Sequence, residues 1–336
     1  MTPTVSVVIP LYNKAAYIEM AIRSVLVQTF QDFEIFVIDD GSTDGGANLV
    51  KTFKDSRIHL IQQENAGVSA ARNKGIMESR GDLIAFLDAD DAWEQEFLEI
   101  ILRLRNKYPA AGLYCTAYNI VLPDGRKRKA KIKAIPSSPW EGILPNYFRA
   151  AALGDPPVCA SALCIPRRIF DTAGMFPVGE TSGEDVDMWF RVALKYPVAF
   201  SRTIGAIYHR EAANRACNSN DAKVEKVPFI KRAHKAIDSG EVPINMVSDL
   251  REYITKKQLD IVRRKVLQGD YREAKKLLKN SKTSLTSIRR KKVFWYFCML
   301  MPIGLTRLSF QIKWLTLRTY SKLMENSIFK KALVIF

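Results

Sequence analysis

The 336-residue chain has only five cysteines, none in a CxxC spacing. Cys115, Cys159, Cys164, Cys217 and Cys298 follow no regular framework, which argues for reduced thiols in a cytosolic protein and against a disulfide scaffold or a zinc site. The uncharged stretch at 293–306 has 14 residues and is interrupted by Pro302 and Gly304. A spanning helix needs roughly 20. The opening residues, MTPTVSVVIPLYN, lack a positive leader and cleavage region and read as a strand that starts almost at once. No glycine-rich phosphate loop followed by lysine occurs early in the chain, which argues against nucleotidyl transfer. The chain carries no zinc-finger spacing or RNA-recognition signature, which argues against nucleic-acid binding despite a net charge of +16.

The charge has a location. Residues 1–110 carry 11 Lys/Arg against 16 Asp/Glu, residues 111–220 carry 14 against 9, and residues 221–336 carry 26 against 10. The excess belongs to the last third, and such asymmetry points to a polyanion: nucleic acid, anionic lipid or a phosphorylated substrate.

Hydrophobic periodicity predicts strands at 5–13, 33–40, 58–63 and 82–88, alternating with helices at 17–30, 45–54, 67–80 and 93–108. That rhythm means an α/β fold with a mostly parallel central sheet and helices on both faces. Further strands are expected at 111–122, 158–166 and 198–209, with a helix at 183–196. A basic loop, Asp124 to Lys129, and an aperiodic Pro/Trp/Gly-rich segment at 134–157 fall between them, as expected of a binding surface or lid.

Three acidic clusters carry the chemistry: Asp39-Asp40 in VIDDGSTD, Asp88-Ala89-Asp90-Asp91 in FLDADD, and Glu184-Asp185 in SGEDVDMWF. The first two follow apolar strands, and ligands of α/β sheets bind at strand ends. Gathered carboxylates repel unless a cation or a hydrogen-bonding ligand offsets them. Asp-Ala-Asp suits a hard divalent ion, Mn²⁺ or Mg²⁺, whose shell substrate phosphates and water complete. Each cluster also has a plainer reading: Asp39 to Ser42 as a turn, Asp90 or Asp91 and Glu184 or Asp185 as helix caps.

Five motifs in order, PLYN at 10–13, VIDDGSTD at 37–44, NAGVSAARNKGI at 65–76, FLDADD at 86–91 and GEDVDMWFR at 183–191, resemble those of inverting family 2 glycosyltransferases of the GT-A fold. The resemblance covers about residues 4–210 and implies a nucleotide-sugar donor, a UDP-sugar, with a glycan or lipid-linked acceptor in surface polysaccharide biosynthesis. It also implies residue roles. Pro10 and Asn13 would lie beside the nucleotide, with Asp39-Asp40 and Arg72 at the base and Asp88 near the ribose and donor sugar. Asp90 would hold the cation, with His209 as a metal or phosphate contact. Asp185 would be the base that deprotonates the acceptor, with Glu184 as its neighbour. The QxxRW signature of processive members is absent, which favours single addition.

From about residue 221 the chain is expected to be a basic helical extension, joined to a catalytic domain at 1–220. Helical apolar spacing runs through Ile244, Met246, Leu250, Ile254, Leu259, Val262 and Leu267, and Gly269-Asp270 breaks it. Residues 289–320, which begin with Arg289-Arg290-Lys291-Lys292, read as a segment lying on an anionic membrane at the inner face of the cell. The rival readings are a core helix or an oligomer contact through the C-terminal helices.

Overall fold

The computed structural model describes residues 2–180, 182–213, 228–285, 288–289, 292–295 and 299. The chain forms two compact units, Met1–Pro243 and Ile244–Phe336, so the division falls later than the 220/221 boundary placed from composition. Helix Pro228–Asp238 therefore lies in the first unit, and its Arg232 reaches the buried Asp187 at 2.8 Å.

The first unit is built on a ten-stranded sheet. One half is parallel: β1 (Val5–Leu11), β2 (Phe33–Asp39), β3 (Ile58–Gln62) and β4 (Leu83–Phe86) run in the order β3-β2-β1-β4. Every residue of β2 and β4 is buried, as near-continuous apolar strands covered on both faces require. Helix α1 (Ala15–Leu26) buries Ile18, Ala21, Ile22 and Val25, which share one face at helical spacing. Helix α3 (Val68–Glu78) packs closely on β1 because residue 75 is glycine. A Cβ there would stand 2.3 Å from a Val8 methyl.

The expected α/β fold is present, but the sheet is mixed. Strand β9 (Leu163–Pro166) inserts antiparallel between β4 and β6 (Leu113–Val121), and β10 (Val198–His209) then pairs parallel with β6. Two short strands, β5 (Ala92–Trp93) and β8 (Glu141–Ile143), add antiparallel to β10. The third, β7 (Lys127–Lys129), folds back on β6 and turns the basic loop into a hairpin. Trp93, read as a helix start, is a strand residue, and helix α4 begins at Phe97. The aperiodic segment holds β8 and helix α5 (Tyr147–Leu153), capped by the Asn146 side chain, which accepts from the Arg149 N–H. Helix α7 (Glu184–Lys195) buries Met188, Trp189 and Phe190.

The second unit holds α9 (Ile244–Gln268) and α10 (Tyr271–Asn280), separated by Gly269 at φ +81° as the break at 269–270 anticipated. Leu259, Val262, Val266, Ala274 and Leu278 form its small core, but Ile244 and Leu267 from the predicted stripe are exposed. Trp295 and Met299 are buried in that core, so the start of the apolar segment faces protein. The rest of the predicted interfacial stretch, 300–320, lies outside the described residues. Among the described residues no helix is long and apolar enough to cross a membrane.

Candidate active site

The carboxyl ends of β2, β1 and β4 share one edge because their registers are fixed: Asp39 pairs with Leu11, and Phe86 with Val8. Asp39 and Asp40 are both buried there. Asp39 accepts from the Ser42 N–H at 3.0 Å and the Gln62 amide at 3.0 Å. Asp40 accepts from the Gln63 amide at 2.7 Å and from the N–H groups of Ala66 and Gly67 at 2.9 and 2.8 Å. The Asp40 carboxylate thus anchors the loop that starts α3. Three of about four lone-pair sites on the carboxylate are taken, leaving one for a ligand.

Pro10 is half-buried in β1 opposite Ile38. Asn13 sits in the left-handed region, φ +50°, which asparagine tolerates better than most residues. Its carboxamide oxygen accepts from the Thr43 N–H at 2.8 Å, tying the loop after β1 to the turn after β2. The next residue, Lys14, crosses to the other acidic cluster. Its ammonium lies 2.7 Å from Asp90 Oδ2 and also donates to the Ala213 carbonyl at 2.7 Å.

Arg72 ties the remaining acids together. It is buried, with one nitrogen 2.8 Å from Asp88 and another 3.0 Å from Glu184, and its guanidinium lies over the Phe176 ring at 5.4 Å. Burial alone would favour loss of its proton, but the charges of Asp88, Glu184 and Asp185 outweigh that and hold the cation more firmly than usual. Glu184 is pushed up from the ordinary carboxyl range by burial and by the neighbouring Asp185 charge, against the pull of Arg72. Asp185 is half-buried in the first turn of α7, where the helix dipole favours an anion. Its Oδ1 accepts from the Val186 N–H at 2.6 Å.

Asp91 is a structural acid that sequence reasoning left as a cap. Fully buried, it accepts from the Ser161 hydroxyl at 2.5 Å and from the His209 backbone N–H at 2.9 Å, while Ser161 Oγ in turn accepts from the Asp88 N–H at 3.1 Å. Burial first, then the charges of Asp88 and Asp90, raise its carboxyl well above the usual range. His209 is brought to the site by its backbone, and its ring Nδ1 faces Glu211 at 2.6 Å. The Cys159 thiol is pushed up by burial and by the charge of Asp91, with smaller contributions from Asp88 and Asp185.

The structure therefore joins Asp88 and Glu184 through Arg72, Asp90 to Lys14, and Asp91 to Asp88 through Ser161 and to the His209 backbone, with Asp185 next to Glu184 and Asp40 tied to the start of α3 through Gly67. Lys14, Ser161, Gln63 and Phe176 were missed. Their partners lie far away in sequence, and no local pattern announces them. Among the described residues no three His, Cys, Asp or Glu side chains gather to hold a metal. Asp88 and Asp90 supply two hard oxygen donors, a set that suits Mg²⁺ or Mn²⁺ when phosphate and water fill the remaining positions.

Comparison with known proteins bears on the family and the fold. The sequence model of glycosyl transferase family 2 matches residues 6–170. An uncharacterised glycosyltransferase of Rickettsia conorii is 34% identical over 193 residues, 57% of this chain and 30% of that protein. TuaG of Bacillus subtilis, named for teichuronic acid biosynthesis, is 36% identical over 147 residues, 43% of this chain and 58% of its own length. The matched part therefore spans less than two thirds of either relative. Among solved structures, S. aureus TarS 1–349 in complex with UDP-GlcNAc superposes with a TM-score of 0.61 at 17% identity, covering 89% of this chain and 90% of that one. The sheet, the acid-lined strand ends and the sequence match together identify a family 2 glycosyltransferase domain on the GT-A fold.

Proposed function

We propose that this protein transfers a single sugar from a UDP-sugar donor to a hydroxyl of a glycan or lipid-linked acceptor, with inversion, in surface polysaccharide biosynthesis. The observation that carries this reading is Arg72, which bridges Asp88 of the strand-end cluster to Glu184, the neighbour of Asp185. One buried cation thereby holds the donor-side acids and the acceptor-side acid in a fixed relation.

In this reading the loop after β1 and the Asp40-anchored loop flank the uridine, Asn13 and Pro10 lie against the nucleotide, and Asp88 faces the ribose and sugar. Asp185 takes the proton from the acceptor hydroxyl. The hydroxyl oxygen bonds to the anomeric carbon from the face opposite the leaving group, the bond from that carbon to the diphosphate oxygen breaks, and the electron pair leaves on UDP. Asp90 with Asp88 would hold a divalent cation, which when bound neutralises the diphosphate. His209 and Lys14 stand at the same edge. Lys14, already paired with Asp90, contributes positive charge there. The lysine- and arginine-rich last third supports peripheral contact with an anionic membrane through residues beyond 299.

The test is a panel of UDP-, GDP- and TDP-sugars with the full chain, with and without Mn²⁺, read by thermal shift and by release of nucleoside diphosphate. A UDP-sugar that raises the melting temperature and yields UDP supports the proposal. No shift and no release with any donor overturns it.

A further inference from the structure

Residues 126–133, Arg-Lys-Arg-Lys-Ala-Lys-Ile-Lys, hold six cations and no acid, and the site above uses none of them. Their burial alternates. Ala130 and Ile132 are buried, whereas Lys127, Lys129, Lys131 and Lys133 are exposed. Backbone bonds fix that alternation: the Ala130 N–H donates to the Tyr118 carbonyl at 2.9 Å and the Lys131 N–H to Asp155 at 2.8 Å. In β7, which ends at Lys129, alternate residues share one side, about 6.6 Å apart, and the exposed Lys131 and Lys133 continue the alternation beyond it. Four lysines therefore form a row.

Their neighbours neutralise them unevenly. Arg126 pairs with Asp124 at 2.6 Å and Arg128 with Asp155 at 2.7 Å, and Lys127 stands 3.6 Å from Glu94. Lys129, Lys131 and Lys133 meet no carboxylate at ion-pair distance among the described residues, and Lys129 donates only to the Arg202 carbonyl at 3.3 Å. Three uncompensated cations held on one side are a surface for an anion with repeated charge.

The row also has a direction. Lys127 pairs with Val121, and Val121 with His209; Lys129 pairs with Asn119, and Asn119 with Ile207. The row thus begins level with the active-site end of β10 and runs back along the sheet. One member of the row, Lys129, lines a cavity of about 620 Å³ together with Ser138, Trp140, Glu141, Arg202 and Thr203 among others. The Trp140 indole lies against Gly142, where a Cβ would stand 2.5 Å from a ring carbon. Only glycine leaves the indole in that place.

We propose that the lysine row and the Trp140 cavity form a track for an acidic glycan, the part of the acceptor chain remote from the reacting hydroxyl. Repeated carboxylates or phosphates along such a polymer pair with the lysines, and an indole face covers the apolar face of a sugar ring. The row offers a lipid surface no apolar side chain to insert, because Ala130 and Ile132 turn inward, so headgroup contact there would be electrostatic alone. The proposal rests on the glycosyl-transfer reading and names the acceptor class.

The test compares the full chain with two variants, Lys129→Gln/Lys131→Gln/Lys133→Gln and a charge-matched control on the surface of α10, Lys275→Gln/Lys276→Gln/Lys279→Gln. Binding to polygalacturonate, dextran, phosphatidylglycerol vesicles and single-stranded DNA is measured at one salt concentration, with UDP-sugar binding read separately. The row variant should bind polygalacturonate about tenfold more weakly while the control is unchanged. Trp140→Ala should weaken it as well. Unchanged polygalacturonate binding in the row variant overturns the proposal. So does an equal loss in the control, or a row-dependent affinity for vesicles or DNA that matches that for polygalacturonate. If no UDP-sugar binds yet polygalacturonate depends on the row, the track stands and the UDP-sugar reading falls. If UDP-sugar binds and the row has no effect, the track falls alone.

Discussion

Two acidic clusters at the same sheet edge are held by different chemistry. After β2, Asp40 accepts three hydrogen bonds from uncharged donors, two of them backbone N–H groups of the loop before α3. Beyond β4, Asp88 and Asp90 each meet a cation, Arg72 and Lys14. Neutral donors that belong to a loop make the carboxylate an organiser of that loop. A cation on a carboxylate instead neutralises its charge directly, and in the proposed reading a metal–diphosphate complex would meet that pair. The first cluster organises a loop, and in the proposed function the second meets the donor.

The comparison can be broken at Arg72, where the largest effect is expected. Arg72→Met leaves the half-buried Asp88 and Glu184 without their buried cation, which should cost about 2–4 kcal/mol, below the full penalty of a wholly buried pair. Urea unfolding measures that loss, and adding Glu184→Gln should recover part of it. Unaltered stability of the single variant would mean that the bridge holds nothing.

Asp90→Ala comes next. It should weaken Mn²⁺-dependent UDP-sugar binding about 10- to 100-fold, with a smaller loss of stability than Arg72→Met because Lys14 keeps its bond to the Ala213 carbonyl. Isothermal titration with and without Mn²⁺ checks this. Asp40→Asn should give the opposite pattern, because the new amide faces the Gly67 N–H with a donor. About 2 kcal/mol of stability should go, and hydrogen exchange at Ala66 and Gly67 should quicken, with little dependence on metal. Matching responses in the two variants would erase the distinction.

The smallest effect is at the far end of β2. Burial tends to raise the carboxyl of Glu34, but the Ser6 hydroxyl, the Arg80 N–H and the Arg80 guanidinium outweigh it and hold it below its usual range. Its folded value is lowered, so the stabilisation is present above the unfolded value of 4.5 and is lost as pH falls through the folded one. Glu34→Gln should therefore cost about 1 kcal/mol at pH 7, and the gap to the wild type should close in acid. A gap that persists at low pH would contradict the assignment.

Much of this was legible in the sequence where a short period governs the structure. The face Ile18, Ala21, Ile22 and Val25 of α1 and the continuous apolar runs of β1, β2 and β4 state their burial directly. The clustered acids after two strands were legible for the same reason. What stayed hidden depends on pairing between distant residues. Lys14 and Asp90 are 76 positions apart and Arg72 and Glu184 are 112 apart, so neither counter-ion shows in any local window. The antiparallel insertion of β9 was hidden too, because four apolar residues read alike in either direction. Helix α5 has only seven residues, too few to display a period amid its Pro- and Trp-rich surroundings.

The most direct measurement concerns Asp185, the acid next to the Arg72–Glu184 bridge. Asp185→Asn keeps the size and the local hydrogen-bonding capacity of the side chain and removes the proton acceptor. With an acceptor and UDP-sugar present, the variant should bind donor as the wild type does and transfer sugar about 10²- to 10⁴-fold more slowly. Transfer at the wild-type rate by a variant with normal donor binding would contradict the account.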